Sequence, residues 1–135
     1  MDCRGTHLIA DLYGCRGLDD QPLIEETLRA AVAAIGATLI GLHLHGFGDG
    51  HGVTGVAMLA ESHLSIHTWP EHGYAAIDLF VCGRDRDLAA GIALIGERLS
   101  AERLEVRELQ RGDLNGRIAP HSGSSQRRGP TVARQ

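Results

Sequence analysis

Ser62-His63-Leu64-Ser65-Ile66-His67-Thr68-Trp69-Pro70-Glu71-His72-Gly73-Tyr74-Ala75-Ala76-Ile77-Asp78-Leu79-Phe80-Val81-Cys82 is the stretch that decides the fold. Residues 62–68 read as a short strand, and Trp69 to Gly73 as the turn that closes it. Tyr74 to Cys82 reads as a further strand, in which Ala75, Ile77, Leu79 and Val81 oppose Tyr74, Ala76, Asp78, Phe80 and Cys82. A period of two sends one set to each face of a sheet, so the apolar set marks the side that is covered.

Working outward, Val53 to Ala60 is a mostly apolar run of strand length, preceded by the glycine-rich loop Gly46-Phe47-Gly48-Asp49-Gly50-His51-Gly52. Residues 37–45 alternate, with Thr38, Ile40, Leu42 and Leu44 expected on one face and Leu39, Gly41, His43 and His45 on the other. Residues 6–13 read as a strand. From Pro22 to Ile35 the apolar positions follow the 3.6-residue period, with Asp19 or Asp20 near the start and Gly36 at the stop, which predicts a helix. Leu88, Ile92, Ile95 and Leu99 line one face of a second helix, and Leu104 to Leu109 reads as a last strand. Strands broken by two separated helices predict an α/β (α+β) fold, a two-layer sandwich with an antiparallel sheet and both helices packed on one face. The other sheet face then needs a cover, which a second copy in a homodimer supplies.

The chain has 135 residues, enough for one modest core, and residues 1–111 are expected to form that single domain. Residues 112–135 are expected to be a mobile basic tail, because Asp113 is the last acid while Arg117, Arg127, Arg128 and Arg134 follow it. Four spread arginines form no dense cluster, so no nucleic-acid or membrane partner is expected. The 43% hydrophobic content contains no run near the ~20 apolar residues of a membrane span, and residues 1–5 do not resemble a secretory signal. A cytoplasmic protein is expected. Cys3, Cys15 and Cys82 are odd in number and irregularly spaced, which suits free thiols. All 13 basic residues are arginine, so no lysine is present to hold pyridoxal phosphate.

Taken one at a time, the chemistry-bearing residues are ambiguous. Ser62 is a small polar residue at a strand start, free cysteines such as Cys82 are among the most buried residue types, and Phe80 reads as core. Six of the eight histidines fall between positions 43 and 72, which raises a metal-binding alternative. No carboxylate or thiolate stands at a recognisable ligand spacing from them, and no metal is expected. The glycine-rich loop lacks both GxGxxG spacing and a P-loop lysine.

Read together, Ala60 to Gly83 closely resembles the signature of the pyruvoyl-dependent S-adenosylmethionine decarboxylases of bacteria and archaea, and the resemblance extends more weakly over residues 5–110. It implies a proenzyme cut between Glu61 and Ser62, with Ser62 as precursor of a pyruvoyl cofactor that holds an amine substrate as a Schiff base. The implied route is an N-to-O acyl shift followed by β-elimination, yielding fragments 1–61 and 62–135. The resemblance assigns a processing role to His67, an imidazole suited to proton removal near neutral pH, and the proton-donor role to Cys82. Upstream, His45-Gly46-Phe47-Gly48-Asp49-Gly50-His51-Gly52-Val53-Thr54-Gly55 matches a family pattern in which Thr54 replaces a serine that assists processing. The loop is one residue longer than the pattern and lacks its proline. Phe47, Trp69 and Glu71 are the implied substrate contacts. The implied activity is decarboxylation of S-adenosylmethionine, giving the aminopropyl donor for spermidine synthesis. Ornithine or arginine as substrate is an alternative, as is an unprocessed, non-catalytic or metal-binding relative.

Overall fold

The computed structural model describes residues 3–83 and 86–115, with the backbone of Arg127–Arg128. The elements run β1 (Gly5–Tyr13), α1 (Gln21–Ile35), β2 (Leu39–Gly46), β3 (Val53–Leu59), β4 (Ser62–Trp69), β5 (Tyr74–Cys82), α2 (Leu88–Arg98), β6 (Arg103–Arg111) and β7 (Arg127–Arg128). They form one sheet in the order β2-β3-β4-β5-β1-β6-β7, with every neighbouring pair antiparallel. The α+β sandwich expected from the sequence is the one observed.

Local chemistry accounts for the element ends. Asp20 caps α1 by accepting the Leu23 N–H at 3.1 Å, and Gly36 ends it at φ 79°. Asp87 caps α2 through the Ala90 N–H at 3.0 Å. Both helices lie on one side of the sheet. Ile24, Leu28, Val32 and Ile35 of α1 and Ile92 and Ile95 of α2 meet Leu8, Ala10, Leu12, Leu64, Ile66, Ile77 and Leu79 in one core. Each fully buried Leu or Ile contributes on the order of 1.5–3 kcal/mol, so this layer supplies most of the driving force for folding.

The opposite face carries the intervening residues: His7, Ile9, Asp11 and Tyr13 on β1, Thr54, Val56 and Met58 on β3, His63, Ser65, His67 and Trp69 on β4, and Tyr74, Asp78, Phe80 and Cys82 on β5. All are half-buried or exposed. Among the described residues, no helix is long and apolar enough to cross a membrane.

Two expectations are corrected. Ile40 does not share the core-facing side with Leu42 and Leu44, because the β2–β3 register shifts between Leu39 and Gly41. This bulge turns Leu39 toward the core and leaves Ile40 exposed. Phe80 is not core: it is half-buried on the open face, its ring beside those of His7 and His63 and beneath the Arg111 guanidinium. The expected basic tail falls largely outside the described residues, within which Arg127 and Arg128 pair with Val106 and Glu105 of β6.

Candidate active site

Glu61 and Ser62 lie where β3 turns into β4, with only Ala60 and Glu61 between the paired Leu59 and Ser62. Two-residue hairpin loops normally place Gly, Asn or Asp at left-handed positions. Neither Ala60 nor Glu61 adopts a positive φ, and Ser62 enters the strand at φ 151° instead. That region is one glycine favours, and holding another residue there costs on the order of 1–3 kcal/mol.

The surroundings keep the turn in place. The Glu61 carboxylate accepts the Thr38 N–H at 2.9 and 3.2 Å, and the Ala60 N–H donates back to the Thr38 carbonyl at 2.9 Å. The Arg86 guanidinium stands 3.9 Å from the same carboxylate. On the main chain, the Cys82 N–H donates to the Glu61 carbonyl at 2.9 Å. The bond between residues 61 and 62 therefore has a polarised carbonyl on one side and a strained residue on the other.

The Ser62 hydroxyl lies 3.4 Å from His63 Nδ1, and His63 Nε2 lies 3.1 Å from Asp78 Oδ2. The other oxygen of Asp78 is hydrogen-bonded to His7 Nε2. Partial burial pushes the Asp78 carboxyl up, but the hydrogen bonds from His7 and His63 outweigh it and hold the group below the usual carboxylate range. The sequence reading gave His7, His63 and Asp78 no catalytic role, and counted His63 only among the histidines behind the metal-binding alternative. The available signal was Asp78 itself, an acid within the apolar run of β5 and on the same alternation as Cys82.

A second cluster occupies the far end of β4. Thr54 and His67 are cross-strand partners, with Thr54 Oγ1 3.1 Å from His67 Nδ1. The Trp69 ring follows, 6.3 Å from that of His67, and stacks on Tyr74 at 5.2 Å, which stacks on Tyr13 at 5.4 Å. Glu71 is exposed in the single helical turn Pro70–His72. Phe47 is exposed at the same end, edge-on to His45, in the loop closed by the Phe47 N–H to Gly52 carbonyl bond.

The structure thus brings Glu61, Ser62 and Cys82 together at one end of β4, and Thr54, His67, Trp69, Glu71 and Phe47 at the other. It does not bring the two sets together within one chain. Ser62 and His67 are five residues apart on one strand, about 16 Å at the usual rise per residue. Among the described residues, no group of three or more His, Cys, Asp or Glu side chains could hold a metal ion.

A family model described as S-adenosylmethionine decarboxylase matches residues 6–112. An S-adenosylmethionine decarboxylase proenzyme of Thermomicrobium roseum is 46% identical over 112 residues, covering 83% of this chain and 97% of the relative. One from Methanococcus maripaludis is 52% identical over 110 residues, covering 80% and 89%. The crystal structure of the adenosylmethionine decarboxylase from Aquifex aeolicus superposes with a TM-score of 0.74 at 40% identity, over 80% of this chain and 90% of that one. With the match spanning β1 to β6, both helices and both ends of β4, the chain belongs to the S-adenosylmethionine decarboxylase family.

Proposed function

We propose that this chain is a cytoplasmic decarboxylase proenzyme that cuts itself between Glu61 and Ser62, keeps a pyruvoyl group at position 62, and removes CO₂ from S-adenosylmethionine. Residues 1–111 form the catalytic unit. The observation that carries the reading is the state of the 61–62 junction, where the carbonyl of Glu61 already accepts the Cys82 N–H and Ser62 is held at φ 151°. A donor aimed at a carbonyl stabilises the oxyanion that forms when a hydroxyl attacks it. Strain at the following residue raises the starting amide toward that transition state.

Position 62 also suits the cofactor. It is half-buried at the start of β4, beside Cys82, and the chain holds no lysine that would offer a competing amine. When bound there, a pyruvoyl carbonyl supplies an electron sink for the electrons released with CO₂. Cys82, half-buried on the same strand alternation as Asp78, is the proton donor that completes the reaction.

The distance along β4 supports a homodimer. The open sheet face carries the apolar side chains Ile9, Val56, Met58 and Trp69 in partial or full exposure. If two copies pack these faces about a two-fold axis crossing β4 near its middle, each Ser62 end meets the His67 end of the other chain. Thr54 and His67 of the partner subunit then serve the elimination step, His67 removing the α-proton of residue 62. The stacked Trp69 ring offers a flat surface to adenine, with Phe47 and Glu71 at its rim. The relatives name S-adenosylmethionine, and no observation favours ornithine, arginine or a non-catalytic role.

Intact-mass measurement of the purified protein tests this. We expect the 14.4 kDa chain to separate into fragments 1–61 and 62–135, and the Ser62→Ala variant to remain whole. Carboxyl-labelled S-adenosylmethionine should release CO₂ from the cleaved protein alone. Two fragments from Ser62→Ala, or release from ornithine with none from S-adenosylmethionine, would overturn the reading.

A further inference from the structure

We propose that His63, oriented by Asp78 and His7, is the general base that activates the Ser62 hydroxyl for the acyl shift, so that the start of β4 carries a serine–histidine–aspartate relay dedicated to self-cleavage. The proposal rests on the self-cleavage reading above. The first step of processing needs a base at the Ser62 oxygen. His67 of the same chain sits five residues away along the strand, and His67 of the partner subunit is assigned the later removal of the α-proton, whereas His63 Nδ1 stands 3.4 Å from that oxygen.

The tautomers are mutually consistent. Asp78, ionised, accepts from Nε2 of both His63 and His7. With its proton held on Nε2, neutral His63 turns the lone pair of Nδ1 toward the serine hydroxyl. The placement follows from the sheet: His63 and His7 both pair with Phe80 from opposite sides of β5, which puts Asp78, two residues from Phe80, on the diagonal to each. The Phe80 ring lies 5.5 Å from that of His7 and 6.1 Å from that of His63, shielding the relay on one side. The charged or titratable neighbours are Asp78 and Cys82 on β5, His7 on β1 and Arg111 on β6 above Phe80, while β3 presents Met58 opposite His63.

In the step itself the Ser62 O–H proton passes to His63 Nδ1 as the oxygen bonds to the Glu61 carbonyl carbon. The carbonyl oxygen takes the negative charge toward the Cys82 N–H. The carbon–nitrogen bond then breaks, the nitrogen receives the proton back from His63, and residues 61 and 62 are joined by an ester with a free amine at residue 62. His63 touches the reacting atom and is catalytic, whereas Asp78 and His7 are positioning residues.

The test follows the full-length chain from synthesis in a cell-free translation mixture, with and without neutral hydroxylamine, which cleaves esters and spares ordinary amides; a cut after Glu61 is told by mass from one at Asn115–Gly116, the Asn–Gly bond that hydroxylamine also attacks. His63→Ala should slow cleavage by about 100-fold or more, the usual worth of a general base, and the uncut chain should resist hydroxylamine. Asp78→Asn should be slowed at least ~10-fold with the same resistance, because an amide at that position favours the wrong histidine tautomer. His67→Ala should instead accumulate the ester and be split by hydroxylamine at residue 61. Added imidazole should restore cleavage to His63→Gly and not to Ser62→Ala. His63→Gln, of similar size, decides the matter if His63→Ala fails to fold. Cleavage of His63→Gln at the normal rate, or a hydroxylamine-sensitive ester in it, would overturn the relay while leaving the Ser62 reading intact. Cleavage of Ser62→Ala would overturn the reading beneath it.

Discussion

At position 62 a serine occupies backbone space that glycine favours, and it is the only residue in the β3–β4 turn that does so. Three restraints hold the preceding Glu61: the Thr38 N–H on its carboxylate, the Cys82 N–H on its carbonyl, and Arg86 nearby. They act on Glu61 rather than on Ser62, so the strain at residue 62 is imposed through the residue before it. Comparing two variants that lack the nucleophile isolates this effect. Ser62→Gly should be more stable than Ser62→Ala by about 1 kcal/mol, because glycine escapes a strain of roughly 1–3 kcal/mol and loses part of that gain to its greater unfolded-state entropy. Urea unfolding at one chain concentration measures the difference, and Ser62→Ala proving the more stable would show that no strain resides there.

At the scale of elements, the loop between β2 and β3 depends on a close approach to β4. A Cβ on Gly52 would lie 2.0 Å from the Thr68 carbonyl oxygen, a backbone atom with no freedom to move aside. The same contact is tied by the Thr68 hydroxyl, which accepts the Val53 N–H at 2.8 Å and donates to the Leu18 carbonyl at 2.7 Å. Gly52→Ala should therefore lose about 1–3 kcal/mol, the range of forced overpacking, and lower the thermal midpoint measured by circular dichroism. Unchanged stability would mean that the loop can withdraw from β4. Most elements were legible beforehand because period-two and period-3.6 patterns survive in sequence, and because Asp20 and Gly36 mark the ends of α1. Ile40 was misplaced because a bulge adds one residue to a strand without changing the composition around it.

At the scale of the whole molecule, the two halves of the candidate site lie at opposite ends of one strand, and it is the proposed homodimer that would join them. Mixing tests this without disturbing the interface. Ser62→Ala chains lack the nucleophile and His67→Ala chains lack the elimination base, so neither should process alone. In a mixed dimer the His67→Ala chain keeps Ser62 and meets the intact His67 of its partner. Co-expression should therefore yield fragments of the His67→Ala chain only, read by mass spectrometry on differently tagged chains. No fragments in a mixture shown to contain mixed dimers would place His67 in service of its own chain, or outside processing.

The alternation in residues 62–82 determined the strands and which side of them is covered, since side-chain periodicity is a local property of the chain. The run from Ala60 to Gly83 likewise carried the resemblance that singled out Glu61, Ser62, His67 and Cys82. Only the tertiary structure decided who stands beside whom. The partnership of His7 with Asp78 joins residues 71 positions apart, and the Cys82 N–H reaches Glu61 across β4 and β5. The separation of Ser62 from His67 has the same origin. Five residues are near in sequence, yet an extended strand holds them about 16 Å apart, so closeness along the chain did not become closeness in the site.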